Sequence, residues 1–416
     1  MLESRRRRRL ILMATGVALT LAASGCSGSG SSTSASSCSS PGVTSNEIKV
    51  GLVYPDTGHD APTVSPARSG VQARIARANA DGGIHGRKIV LQWRDDASVQ
   101  DTNLVGTRDL VEHENVFGVI QESAAVTKAE EYLAQRGVPV TGLAVEPVWD
   151  QGRNMFAAVY PYGEGATSAF GRFAKGQGGT KAFVVALPLS GAAAGASAKL
   201  VTSVTSVGIP VVGQAEYTDG VTSASSVAAR FASSGADVLV AAVGSPSLVA
   251  LVAALNEARI PFKAAFGPEG YDTGLLRQNG AALAGMTVYV LFTPFESHSA
   301  AIQTFQRDMA TYAPEIAGQA QTFAMNGYVG ADLFLRGLDL AGACPTRAGF
   351  IKALRSSTYD AGGLLPAPVN LSSNFSTVSN CYVFMRVNST GSGFEAVPNP
   401  NGANNQWCGE HIATAS

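Results

Sequence analysis

A two-lobed α/β protein, each lobe a mainly parallel β-sheet flanked by helices, is the fold class that the sequence predicts. Three observations predict it. Short apolar, β-branched runs alternate with helical patterns of roughly 10 to 15 residues. The alternation stops and restarts once, after Tyr160-Pro161-Tyr162-Gly163-Glu164-Gly165. Two runs, Ala182-Phe183-Val184-Val185-Ala186-Leu187 and Ala236-Asp237-Val238-Leu239-Val240-Ala241, are almost continuously apolar, as strands covered on both faces are.

In the first half, residues 48–54 form a β-branched strand followed by the turn Pro55-Asp56-Thr57-Gly58. A helix over 65–80 places Val71, Ile75 and Ala78 on one face and ends at Asp81-Gly82-Gly83, where glycine can take the left-handed cap. Strand 88–93, helix 99–113, strand 116–120, helix 126–135 and strand 138–143 follow. The second half repeats the scheme: helix 166–175, strand 181–187, helix 194–207, strand 211–217, helix 223–233, strand 238–243, helix 248–258 and strand 262–267. A further strand over 286–292 and a long helix over 319–340 come next. Residues 381–387 and 394–397, joined by Asn388-Ser389-Thr390-Gly391-Ser392-Gly393, predict an antiparallel hairpin.

Composition narrows the function. The 416-residue chain carries 30 Lys+Arg against 31 Asp+Glu, a formal charge of −1, which excludes a basic nucleic-acid binder. The first 25 residues have the plan of an export signal, with Arg5 to Arg9, an apolar run from Leu10 to Ala23, and small residues before Cys26. That run is too short to span a bilayer. Leu21-Ala22-Ala23-Ser24-Gly25-Cys26 resembles a bacterial lipobox, which makes Cys26 the lipidated first residue of the mature chain, with the Ser/Gly-rich 26–46 a flexible tether. Sec and twin-arginine export both remain open. Loss of residues 1–25 removes five Arg and one Glu, leaving a mature charge of −5. Export implies an oxidising compartment, so Cys38, Cys344, Cys381 and Cys408 are disulfide candidates. Of three connectivities, the expected one joins Cys344 to Cys381 and Cys38 to Cys408.

No catalytic or metal constellation emerges. There is no G-x-S-x-G elbow and no Walker Gly-Lys-Ser/Thr, and His59, His85, His113, His298 and His411 never stand four apart. No cofactor is expected. Asp95-Asp96, at a strand end before a helix, reads as a helix-capping pair. Open α/β sheets bind ligands at the carboxyl ends of strands. The loops there carry the candidate binding residues: Asp56, Thr57, Glu122, Ser123, Ala144, Val145, Pro188, Ser245, Glu269 and Tyr271.

Ile48-Lys49-Val50-Gly51, Asn79-Ala80-Asp81-Gly82-Gly83-Ile84-His85-Gly86, Asp95-Asp96-Ala97, Gly267-Pro268-Glu269-Gly270 and the helix around Tyr328 occur in an order that resembles the leucine/isoleucine/valine-binding family of solute receptors. The resemblance covers residues 47 to about 397. It implies a type I periplasmic-binding-protein fold with three interlobe crossovers, near 160–163, 292–295 and 360–366. The implied division is an N-terminal lobe of 47–160 plus 293–360, a C-terminal lobe of 161–292 plus 361–400, and a tail of 401–416. It further implies a non-enzymatic monomer that presents a small solute to an ABC permease and its ATPase, outside the cytoplasmic membrane. Glu269 matches the family acid that pairs with a ligand ammonium. Glu122-Ser123 and Val145 stand where the family binds the ligand carboxylate, and there Val145 lacks a hydroxyl and Glu122 adds an acid. Amides, polyamines and short peptides are therefore expected solutes alongside amino acids. A sensory receptor of the same shape is the competing expectation, and an exported α/β hydrolase a second.

Overall fold

The computed structural model describes residues 38–187, 191–316, 318 and 320–414. Expectations for the export signal, for Cys26 and for Pro188 fall outside them.

The first sheet contains β1 (Glu47–Tyr54), β2 (Lys88–Asp95), β3 (Gly118–Gln121), β4 (Val140–Gly142) and β5 (Met155–Phe156), in the order β2-β1-β3-β4-β5. All four pairings are parallel. The helices α1 (Ala61–Val64), α2 (Pro66–Ala80), α3 (Gln100–Glu112) and α4 (Thr127–Gln135) connect these strands. β3 is buried at every position, as a central strand with both faces covered must be.

The chain then crosses to a second sheet. Its order runs through β6 (Ala166–Thr167), α5 (Ala169–Gly176), β7 (Ala182–Ala186), α6 (Gly191–Ser206), β8 (Val211–Glu216), α7 (Ala224–Ser234), β9 (Val238–Ala242), α8 (Ser245–Glu257), β10 (Ala264–Gly267), α9 (Thr273–Asn279) and β11 (Met286–Val290). Strands β11, β10, β9, β7 and β8 lie side by side and parallel. Before the final strands the chain returns to the first half as α10 (Ala300–Tyr312), α11 (Thr322–Leu340) and α12 (Arg347–Arg355). There Arg74 of α2 pairs with Asp332 of α11 at 2.6 Å, and Tyr328 of α11 donates to Asp308 of α10 at 2.6 Å. The bridge between β12 (Thr358–Tyr359) and β13 (Val369–Asn370) stays on this side, because Tyr359 donates to Asp332 and Arg355 donates to the Leu371 carbonyl. Finally β14 (Cys381–Val387) pairs antiparallel with β11, β15 (Phe394–Ala396) and β16 (Gln406–Cys408), and β17 (His411–Ile412) pairs with β6.

Three chain crossings thus join the halves, as expected, and the first and third hydrogen-bond each other. The Thr293 N–H donates to the Leu364 carbonyl at 2.8 Å. Tyr160 and Ser379 exchange two bonds, backbone to side chain at 3.2 Å and backbone to backbone at 2.9 Å. The third passage comes later than 360–366, at 376–380, because residues 358–375 are held to α11 and α12.

Two further expectations are corrected. The disulfides are Cys38–Cys344 and Cys381–Cys408. The register of β14 against β16 places Cys381 directly opposite Cys408, and the N-terminal segment lies by the end of α11, so tertiary neighbourhood overrides the expected pairing. Residues 401–414 are not a separate tail: Trp407 is buried against Phe173, with its indole N–H on the Val397 carbonyl at 3.2 Å.

Candidate functional site

The strand ends of both sheets, with the crossings beside them, wall a cavity of about 490 Å³. The first half contributes Asp60 and Thr63 around α1, Glu122 after β3, Ala144 and Val145 after β4, and Phe323, Met325 and Gly330 from α11. The second half contributes Asp219, Gly244, Pro246, Glu269, Tyr289 and Phe292, with Tyr162 from the first crossing. Most of this surface is apolar. Among the described residues, its ionisable side chains are four carboxylic acids, His59, Tyr162 and Tyr289.

Of the residues expected to bind, the structure brings Glu122, Ala144, Val145 and Glu269 together on the walls. The others have different engagements. Asp56 accepts the Tyr54 hydroxyl at 2.7 Å, and the Thr57 hydroxyl donates to Asp95 at 2.6 Å. Ser123 donates to Asp96 and accepts the Ala125 N–H at 2.9 Å, inside a buried network with Asn103, Gln121 and Thr107. Ser245 meets the site through its backbone, whose N–H donates to Glu269 at 3.1 Å. Tyr271 donates to Glu296, accepts the Phe295 N–H at 3.0 Å, and packs among Phe292, Phe295 and Phe394 beside the crossings.

Nor do Asp95 and Asp96 cap α3, whose N-cap is Val99 with no side-chain bond. Asp95 instead accepts from the backbones of Asp56, Thr57 and Ala97, and although burial alone would raise it, these bonds hold its carboxyl below the usual range. Asp96 accepts the Ser98 N–H at 2.8 Å and braces the loop after β3 through Ser123.

Glu122 is fully buried, and neither carboxylate oxygen has a hydrogen-bond partner among the described residues. Desolvation alone pushes it up to about 8. Its place exists because Gly330, packed against Gly142, makes room. Gly142 takes a φ of +142°, and a Cβ on Gly330 of α11 would overlap Glu122 Oε1. Glu269 is also pushed up to about 8, first by burial and then by the charge of Asp60, against bonds from the Ser245 N–H and the Thr63 hydroxyl. Asp60 is raised too, chiefly by burial.

Two helices near the cavity, α8 and α4, have a protein carboxylate at the N-terminus, whereas α11, which opens on it through Thr322 and Phe323, has no side-chain cap. Glu269 takes the Ser245 N–H of α8. Glu146 accepts the Val126 N–H, the Thr127 hydroxyl at 2.9 Å and the Gln100 amide at 3.2 Å at the start of α4. The sequence reading missed Asp60, Thr63 and the α11 face. Of these, α11 carried a signal, since Phe323, Met325 and Gly330 belong to the uncharged, largely apolar first part of that helix, before Asp332.

Two sheet-and-helix halves around a shared cavity define a two-lobed ligand-binding protein. The chain belongs to the periplasmic binding protein family, whose sequence profile matches residues 47–392. It is 30% identical over 123 residues to the Leu/Ile/Val-binding protein homolog 7 of Brucella abortus (strain 2308), a stretch covering 28% of this chain and only 30% of that relative. Among solved structures it is similar to the solute binding protein of an ABC transporter from Rhodopseudomonas palustris BisB5 in complex with 3,4-dihydroxy benzoic acid. There the TM-score is 0.70 at 18% identity, covering 88% of this chain and 98% of that one. It is also similar to the branched-chain amino acid transporter substrate binding protein LivJ of Streptococcus pneumoniae in complex with isoleucine, with a TM-score of 0.70 at 17% identity, covering 85% and 99%. At such identities the likeness establishes the fold, the type I periplasmic-binding-protein fold expected from the sequence.

Proposed function

We propose that this protein is an extracytoplasmic solute receptor of an ABC importer. It captures a small polar solute, an amino acid, amide or related compound, between its lobes and hands it unaltered to a permease and its ATPase. The observation that carries this reading is the cavity itself, of about 490 Å³, walled by strand ends from both sheets and flanked by three crossings, the first and third bonded to each other. A solute held by both walls favours the closed arrangement by contacts that exist only when both lobes engage it. The same reading places the chain outside the cytoplasmic membrane as a monomer tethered through a lipid on Cys26. No described helix is long and apolar enough to cross a membrane.

The test is a thermal-shift screen against amino acids, amides, amines and organic acids, followed by small-angle scattering with each hit. A true solute raises Tm, adding about 2.7 kcal/mol at 100 times its Kd, and reduces the radius of gyration. A screen without hits, or a hit released chemically changed, removes the reading. Palmitate labelling that persists in Cys26→Ser removes the anchor.

A further inference from the structure

The body of α11 is held by the first half, where Arg74 and Tyr359 bond Asp332 and the Thr141 hydroxyl donates to the Gly330 carbonyl at 2.8 Å. Its start is held by the second. The N-cap of α11 is Gln321, a residue type that caps poorly, and no side chain caps this helix. The Gln321 amide is turned to the other half instead, where its Nε2 donates to Asp272 Oδ2 at 2.9 Å. Asp272 and Gln321 stand opposite each other in an antiparallel bridge. One position along, the Thr273 N–H donates to the Ala320 carbonyl at 3.2 Å, and the Ala320 N–H donates to the Thr273 hydroxyl at 3.0 Å.

The second-half partner is held ready for this contact. Asp272 is the N-cap of α9, and its Oδ1 accepts the N–H groups of Gly274 and Leu275, which leaves Oδ2 to Gln321. Tyr271, just before it, is fixed between Phe292 and Phe295 of the second crossing. On both chains the bonded residues adjoin the cavity wall. Glu269 lines the cavity shortly before Asp272, and Thr322 and Phe323 line it directly after Gln321. The contact thus closes the seam between a wall from each half.

Hydrogen bonds weaken steeply as their angles fall. A rotation of one half against the other therefore breaks these three together, and they favour only the arrangement in which the seam is shut.

Resting on the receptor reading above, we propose that Asp272 and Thr273 clasp Ala320 and Gln321 to hold the lobes shut, and that this clasp sets how far the solute-free receptor opens.

The experiment needs no solute. Val105 of α3 and Val221 after β8 are exposed, one in each half. Nitroxide labels on Val105→Cys and Val221→Cys of the mature protein report the interlobe distance by pulsed electron resonance, with small-angle scattering alongside. Thr273→Val with Gln321→Ala removes one acceptor and one donor of the clasp. The fraction of long interlobe distances is expected to rise at least threefold and the radius of gyration to increase, with the circular dichroism spectrum unchanged. Thr273→Ser, which keeps the hydroxyl, is expected to match the wild type. Gln321→Glu sets a second carboxylate against Asp272; it covers the case in which the double variant fails to fold, and is expected to open the lobes in the same way. Wild-type distances in the clasp variants, or a Thr273→Ser protein as open as Thr273→Val, overturn the clasp and leave the receptor reading standing. That reading falls only if the solute screen yields no hit, and the clasp then falls with it.

Discussion

The hydroxyl of Thr63, on the short helix after β1, and the carboxyl of Glu269, after β10, come together in the cavity wall over Gly244, where a Cβ would stand 3.6 Å from the one and 3.4 Å from the other, and so bring the two halves into contact. The contact joins loops that begin on different sheets and are 206 positions apart in the chain. A hydrogen bond between neutral groups contributes about 0.5–1.5 kcal/mol, which is enough to bias a two-lobed molecule toward closure. Thr63→Val keeps the shape of the side chain and removes the donor. The expected outcome is a larger radius of gyration without added solute and a solute affinity reduced severalfold; scattering and affinity identical to wild type would show the bond to be idle.

Glu122 makes stability depend on pH in a defined window. Its carboxyl titrates near 4.5 in the unfolded chain and near 8 in the native one. Below about 4.5 both states hold the proton and no stability is lost. Between these values only the unfolded state releases it, so stability falls by about 1.4 kcal/mol per pH unit until the native group ionises. Glu122→Gln should therefore gain on the wild type from pH 5 to pH 8 and keep a constant advantage above. Glu269 adds a similar slope to both proteins, so the difference between their urea midpoints isolates Glu122. A difference independent of pH would contradict the assignment.

Gly330 and Glu122 occupy one space from two directions. Gly330→Ala should destabilise the protein by about 1–3 kcal/mol through overpacking. Glu122→Ala in the same chain removes the obstruction, so the two effects should fall short of additive. Additive unfolding energies in the double-mutant cycle would mean that the groups do not compete.

Trp407 closes the core beneath β14. Its ring packs edge-on to Phe173 at 5.4 Å between centroids, and a Cβ on Gly176 would run into the indole. Trp407→Ala should cost about 3–5 kcal/mol, read as a lowered Tm, whereas an unneeded tail would tolerate the change. Removing residues 398–416 should lower Tm at least as much.

How legible the fold was depended on how local its causes were. The β/α alternation of the first 290 residues could be read directly, because each strand and helix declares itself by its own periodicity. The helices α10 and α12 were legible but unread: Ser299 and Thr346 cap them, and Ile302, Phe305 and Met309 or Phe350 and Leu354 recur at helical spacing. The site was half legible. The rule that ligands meet strand ends found Glu122, Ala144, Val145 and Glu269. It could not tell these from Ser123 and Tyr271, which leave the same strand ends but turn toward Asp96 and Glu296.

The amino-acid order alone determined that this chain is built from alternating strands and helices in two sets, and that acids stand at the loops after β3 and β10. Both follow from neighbours within a few residues, where hydrophobic spacing and turn chemistry act. Only the tertiary structure decided which cysteines meet, that residues 406–408 complete a sheet, that Gly330 admits Glu122, and that Glu146 fills a helix N-terminus. Each of these depends on groups distant in sequence or on the direction a side chain takes from a shared strand end, and chain packing, not local preference, sets those distances.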